Sequence, residues 1–359
     1  MVLKGIKAFA WWICGTITRL ARCAATLLGR RRQVDVLIYK VDRLGDWFMA
    51  EPSITAIISS AQARGETVAV WASRETSALR AWRGPGCAVE SFVFEPQGLV
   101  AKLARAFSVV RLLATYRART LICLRHSPEP VRDFVLAQAD AEDVRALSWR
   151  IFPGGPAHVP HEIARHFALL SGIGFAPNKS SDLLPALARN TVPAPSRVVI
   201  APFSSAPIKD WRAEAWCEVV TAIAKPGLDF ELWVGPDQIA RADELARLLQ
   251  GTRNAPEVSV KSGSFFQLAT AVETAALVLT VDTFATHLAV ASDVPVVCLI
   301  GGGQFGDFGP WQRSERQQWI THPLPCFGCN WQCTRTRAEC LLDIGPAQVV
   351  SAIATAWQA

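Results

Sequence analysis

Apolar positions in this chain fall into two rhythms that alternate along most of its length. Short, fully apolar runs bounded by Gly, Pro or Asp read as buried strands, and the longer stretches between them carry apolar residues at helical spacing. The first such run is Val34–Lys40, followed by an expected loop over Val41–Trp47 and a helix over Pro52–Arg64. Further strands are expected at Thr67–Trp71, Val89–Phe94, Thr120–Leu124 and Val144–Leu147, with helices between them, the clearest being Leu99–Arg117. His161–Leu170 reads as a surface helix closing this half, because its two histidines, five residues apart, do not share a helix face. After the proline-rich stretch Pro177–Ser196 the pattern restarts with strands at Arg197–Ala201, Phe230–Val234 and Val258–Lys261. Helices are expected at Ala213–Ala224, Gln238–Gln250 and Phe265–Glu273. Finally Leu279–Val281 reads as a strand delivering Asp282 and Thr283 at its carboxyl end. A helix bearing His287 and a second buried strand over Val294–Ile300 follow.

Alternating strands and helices imply an α/β fold with parallel sheets. The restart after the prolines implies two such domains, 33–185 and 197–359, joined by a linker at 186–196. Ligands of parallel sheets bind beyond the carboxyl ends of the strands, so chemistry is expected in the loops facing a cleft between the domains.

Residues 1–32 differ from all of this. They hold seven basic groups and no acid, leaving 30 basic against 31 acidic residues in the body. A nucleic-acid-binding surface spread over the fold is therefore not expected. On a helical wheel Ile6, Phe9, Ile13, Ile17, Leu20, Ala24, Leu27 and Leu28 share one face, and Lys4, Lys7, Thr18, Arg19, Arg22, Thr26 and Arg30 the other. The longest uncharged run, Ala8–Thr18, is 11 residues, too short to span a bilayer. A basic amphipathic helix with Trp11 and Trp12 near its boundary suits the surface of an anionic membrane, which predicts a peripheral seat on the inner face of the cytoplasmic membrane. The alternatives are a signal peptide, against which Arg19 and Arg22 interrupt the cleavage region, and a helix docked on the protein's own body or on a partner.

Ten cysteines in a chain this long need not form a disulfide framework, and a reducing compartment is expected. Four of them, Cys326, Cys329, Cys333 and Cys340, lie within 15 residues. That density suits zinc or an iron-sulfur cluster, but the spacing is not that of paired CxxC motifs, so free thiols are an equal reading and no metal is assigned.

Four loops occupy strand carboxyl ends. Asp42-Arg43-Leu44-Gly45-Asp46 offers carboxylates, and Pro202–Trp211 offers two hydroxyls, Ser204 and Ser205, and the cation Lys209. Asp282–His287 leads into a helix N-terminus suited to phosphate, and Gly301–Gly303 with Gly306 permits close backbone approach to a ligand.

Together these segments resemble glycosyltransferase family 9, the ADP-heptose:lipopolysaccharide heptosyltransferases, over roughly residues 34–353. Arg43, Gly45 and Asp46 match the family's R-x-G-D. Pro202, Ser204, Lys209 and Trp211 match its PGS…K-x-W, and Asp282, Thr283, His287, Leu288, Ala289 and Pro295 match its DTG…H-L-A-A…P. The resemblance implies a GT-B architecture of two facing Rossmann-like domains, acceptor domain first and donor domain second. It implies inverting, metal-independent transfer of a sugar from a nucleotide-sugar donor to a lipopolysaccharide or lipid-linked acceptor. Asp46 would be the general base, with Asp42 as rival, and Lys209 would neutralise the departing diphosphate. Ser204, Ser205, Asp282, Thr283, His287 and Gly302 would bind donor, and Arg43 would bind acceptor. Phe203 and Phe284 replace two glycines of the family pattern, which puts rings where the diphosphate is expected. That leaves a sugar-nucleotide-binding or assembly protein, or a GT-B epimerase, as alternatives.

Overall fold

The computed structural model describes residues 2–77, 79, 86–125, 127, 129–147, 161–175, 177–187, 194 and 196–358, with side chains described from Trp12 onward. Residues 188–193 and 195 of the expected linker lie outside the described residues, as do the side chains of Lys4, Ile6, Lys7, Phe9 and Trp11. The chain divides into two compact units.

The first unit opens with helix α1 (Val2–Leu27), which packs along two later helices of the same unit, and continues into a five-stranded, wholly parallel sheet. Its strands are β1 (Arg32–Lys40), β2 (Val68–Ser73), β3 (Ala88–Phe92), β4 (Tyr116–Cys123) and β5 (Ala141–Ala146), in the spatial order β3-β2-β1-β4-β5. The central strand β1 pairs Tyr39 with Trp71 on one side and with Cys123 on the other. Those residues, with Leu37, Leu121 and Val135, form one face's core. The connecting helices are α2 (Leu44–Ala63), α3 (Gly98–Thr115) and α4 (Pro130–Gln138), and α5 (His161–Gly172) follows β5.

Two sequence expectations fail here. The segment expected as a loop to Trp47 is already helix from Leu44, and α2 runs on through Pro52. An interior proline costs about 3 kcal/mol. Trp47, Phe48, Met49, Ile54 and Ile57 are all buried on this helix, each contributing roughly 1.5–3 kcal/mol, so packing outweighs the breaker. Asp46 consequently stands in the first turn of a helix rather than on a loop. The expected surface helix at His161 instead buries Glu162, Ile163, Arg165 and His166, with Glu162 placed among Arg165, His166 and Lys40 inside the unit.

The second unit holds a six-stranded parallel sheet of β6 (Arg197–Ala201), β7 (Asp229–Trp233), β8 (Val258–Lys261), β9 (Leu277–Val281), β10 (Val296–Leu299) and β11 (Gln317–Ile320). The order is β11-β10-β9-β6-β7-β8, the doubly wound arrangement in which the direction of winding reverses between β6 and β9. Helices α6 (Ala213–Ile223), α7 (Ile239–Gln250), α8 (Phe265–Thr274) and α9 (Phe284–Ala291) connect the strands, and α10 (Glu339–Leu342) and α11 (Pro346–Gln358) close the chain. Trp211 sits in the core edge to face with Trp216, ring centroids 5.2 Å apart.

Candidate active site

Each sheet reverses its winding beside its first strand, and each carries a cluster of charged side chains at that point. In the first unit the reversal lies between β1 and β4. Lys40 ends β1 with no exposed surface, its Nζ donating to the Leu124 carbonyl at 3.1 Å. The same Nζ lies 3.1 Å from Asp42 and 3.4 Å from Glu162. Asp42 also accepts from Arg125, just beyond β4, at 2.7 Å, and from the Arg43 amide at 3.2 Å. Burial pushes the Asp42 carboxyl upward, but Lys40 and Arg125 outweigh it and hold the group below the usual carboxylate range.

Asp46 has the opposite fate. Burial and then the adjacent Asp42 charge push its carboxyl well above the usual range, against a smaller pull from Lys40, and the two carboxyls share a hydrogen bond. Asp46 is therefore the member of the pair that keeps a proton, and Asp42 is committed to two cations. Behind them, Glu162 lies 3.3 Å from His166, whose other ring nitrogen is 3.0 Å from Ser53 Oγ. Arg43, expected at the acceptor, is half-exposed and pairs with Glu95 at 2.7 Å.

In the second unit the loop after β6 and the turn after β9 meet at the reversal. Lys209 Nζ, mostly buried, donates to Asp282 at 3.1 Å. Burial opposes ionisation of Asp282, yet Lys209 and then His287 hold its carboxyl below the usual range. His287 is buried on α9 and accepts at Nδ1 from the Trp311 indole, 3.1 Å away, which leaves the proton on Nε2, facing Asp282 at 3.8 Å. Burial takes its pKa down to about 4, only partly restored by Asp282. His287 is thus a neutral, buried imidazole that fixes Asp282 from behind.

The remaining expected donor residues divide. Ser204 is buried and braces its own loop, its Oγ donating to the Ala206 carbonyl at 2.7 Å and accepting from the Ala206 amide. Ser205 is exposed beside it. Thr283 caps the entry to α9, its hydroxyl 3.2 Å from Thr280. The rings replacing the two family glycines are both engaged with the body of the unit. Phe203 packs against its core beneath the Arg241 guanidinium, 4.1 Å away, and Phe284 lies 5.5 Å from Phe265.

Gly302, expected at the donor, is closely packed by its own unit. A Cβ there would strike the Phe327 ring, and one on Gly301 or Gly303 would strike Trp331. The glycines are small because the cysteine-bearing loop folds back on them, with Gly328 and Asn330 amides donating to the Gly302 and Gly303 carbonyls at 2.8 Å each. Trp331 also places its ring 5.5 Å from Lys209 Nζ. Cys326, Cys329, Cys333 and Cys340 line one small pocket of this loop together with Trp331 and Arg335. They are unbridged, and their thiols are near enough for Cys329, Cys340 and Cys326 to add to the burial that raises Cys333. Among the described residues, no three His, Cys, Asp or Glu side chains converge as a metal site.

Sequence reasoning missed Lys40, Arg125 and Glu162 under Asp42, and Trp311 on His287. A lysine closing a run of buried apolar residues was a signal for the first, since such a group is buried only when paired. Nothing local marked Trp311.

Two parallel, Rossmann-like units of this kind make the chain a GT-B protein by fold. Residues 160–334 match the family model "Glycosyltransferase family 9 (heptosyltransferase)". Lipopolysaccharide heptosyltransferase 3 of Escherichia coli K12 is 29% identical over 145 residues, covering 40% of this chain and 39% of that protein. The chain therefore aligns with about two fifths of the length of that curated relative. Among solved structures, a family 9 glycosyl transferase from Veillonella parvula superposes with a TM-score of 0.65 at 15% identity, over 90% of this chain and 97% of that one. The dodecameric iron-containing heptosyltransferase TibC of E. coli, in complex with ADP-D-β-D-heptose, does so with a TM-score of 0.53 at 15% identity, over 92% and 77%. Over residues 160–334 the chain is thus similar to glycosyltransferase family 9, the heptosyltransferases, and its fold is that of the solved family 9 structures.

Proposed function

We propose that this protein is an inverting glycosyltransferase. It moves a heptose or related sugar from a nucleotide-diphosphate donor to a lipopolysaccharide-core or other envelope glycan acceptor, with no metal ion in the transfer step. The observation that carries this reading is the Lys209–Asp282 pair, which keeps a cation at the switch point of a doubly wound sheet, 3.1 Å from its counter-charge. The names of the matched relatives support the sugar and acceptor classes.

In this scheme Lys209 turns from Asp282 to the diphosphate and stabilises the negative charge that grows as the anomeric bond breaks. Backbone amides from Thr283 to Ala285, at the start of α9, and the exposed Ser205 hydroxyl add to that field, and Ser204 holds the loop in shape. His287 keeps Asp282 oriented. Asp46, once deprotonated, takes the proton of the acceptor hydroxyl as the anomeric carbon is attacked from the opposite face. Arg43 is released from Glu95 to contact the acceptor. Helix α1 seats the protein on the cytoplasmic face of the membrane, where lipid-linked acceptors are presented.

The test is turnover of ADP-heptose with a lipopolysaccharide-core acceptor, in the presence of a chelator. Asp46→Ala and Lys209→Ala should each lower kcat about 100-fold or more with the melting temperature kept. Undiminished transfer in both variants would remove the proposed machinery.

A further inference from the structure

Helix α1 docks on its own unit the wrong way round for an ordinary amphipathic helix. The residues turned to the body are small or polar: Gly15 against the Gln138 side chain, Thr18 with no exposed surface, Ala25, and Arg22, whose guanidinium donates to the Gln138 carbonyl. The apolar face is left outside, with Trp12 63%, Ile17 49% and Leu20 66% exposed. A soluble helix buries that face, so this one is held in place to present it.

Helix α3 packs directly along α1 and does the same. Leu99, Leu103 and Phe107, spaced four apart and therefore on one face, are 72%, 62% and 71% exposed, and its buried contacts come from Val109 onward. A single exposed leucine means little, but two packed helices that both show apolar stripes are a surface meant to be covered. Charge says by what. Across the 26 residues of α1 and the 18 of α3 there are seven basic side chains and no acidic one, Arg19 and Lys102 among those exposed. No helix among the described residues is long and apolar enough to cross a membrane. Exposed apolar stripes on two helices that carry bases and no acid, neither of them able to span a bilayer, fit the interfacial plane of an anionic one.

We propose that α1 and α3 form one two-helix face that lies in the headgroup region of an anionic bilayer, with Leu99, Leu103 and Phe107 of α3 entering the acyl boundary beside α1. This rests on the reading of α1 as a membrane seat and adds a second, non-contiguous element to it.

The experiment is flotation of the full chain with phosphatidylethanolamine–phosphatidylglycerol vesicles and with phosphatidylcholine vesicles. The parent should float with the anionic vesicles and be released by salt. The pair Leu103→Glu, Phe107→Glu should lower partition about tenfold or more, as should Ile17→Glu, Leu20→Glu, each with an unchanged melting temperature. If the α3 pair floats like the parent while the α1 pair does not, α3 has no part and only the seat on α1 stands. If neither pair changes flotation, both readings fall. If the parent is a dimer without lipid and the α3 pair a monomer, a second copy covers the face and the bilayer proposal is overturned.

Discussion

Two carboxyls four residues apart, Asp42 and Asp46, receive opposite treatment from the same buried neighbourhood. Asp42 has taken Lys40 and Arg125 as partners, so Asp46 meets burial and a nearby anion at once and holds its proton above the usual carboxylate range. A base with that bias works only once pH has risen through its raised pKa. The acid limb of kcat/KM should accordingly lie above the range of an ordinary carboxylate, and Asp42→Asn should move it to lower pH by deleting the neighbouring anion and leaving the two cations. A limb that does not move would belong to another group. His287 makes the converse prediction for stability. Its folded pKa of about 4 lies below the ordinary value of 6.5, so the unfolded chain takes up the proton first. The stabilisation is complete above pH 6.5 and is lost as pH falls toward 4, about 3 kcal/mol in all. Urea unfolding across that range should show the loss in the parent and a flatter profile in His287→Gln. Equal slopes would show that the imidazole does not control it.

The elements were legible wherever period and burial agreed. Arg197–Ala201 and Val258–Lys261 appear with the expected bounds, because a short apolar run between turn residues has few other folds open to it. Pro52 misled because its effect is local and the burial of Trp47 to Met49 is tertiary. The family motifs pointed to Asp46, Lys209, Asp282 and His287, but not to the ion pairs beside Asp46, since Arg125 and Glu162 reach Asp42 and Lys40 from elements 80 or more residues away. The Gly301–Gly303 cluster was visible too, while its reason lay in the rings of Phe327 and Trp331. Gly302→Ala should therefore act by overpacking, costing about 1–3 kcal/mol and lowering the melting temperature, because the methyl meets an aromatic ring. An alanine tolerated there without loss of stability would mean that the ring swings aside.

At the level of the whole molecule, the basicity gathered in the first 32 residues leaves a nearly neutral body. The leader is an integral helix of the first unit, tied down through Arg22 to Gln138 and continued by Arg31 to Asp140 at the entry to β1. Many lipid-binding segments are coils in water and must pay the entropy of coiling into a helix as they land. Here the winding is complete beforehand, so landing on a surface spends nothing on ordering the backbone. In the proposed seating, adsorption is a matter of bringing one stiff patch into register with a plane, a step that asks for no folding and can be quick and reversible.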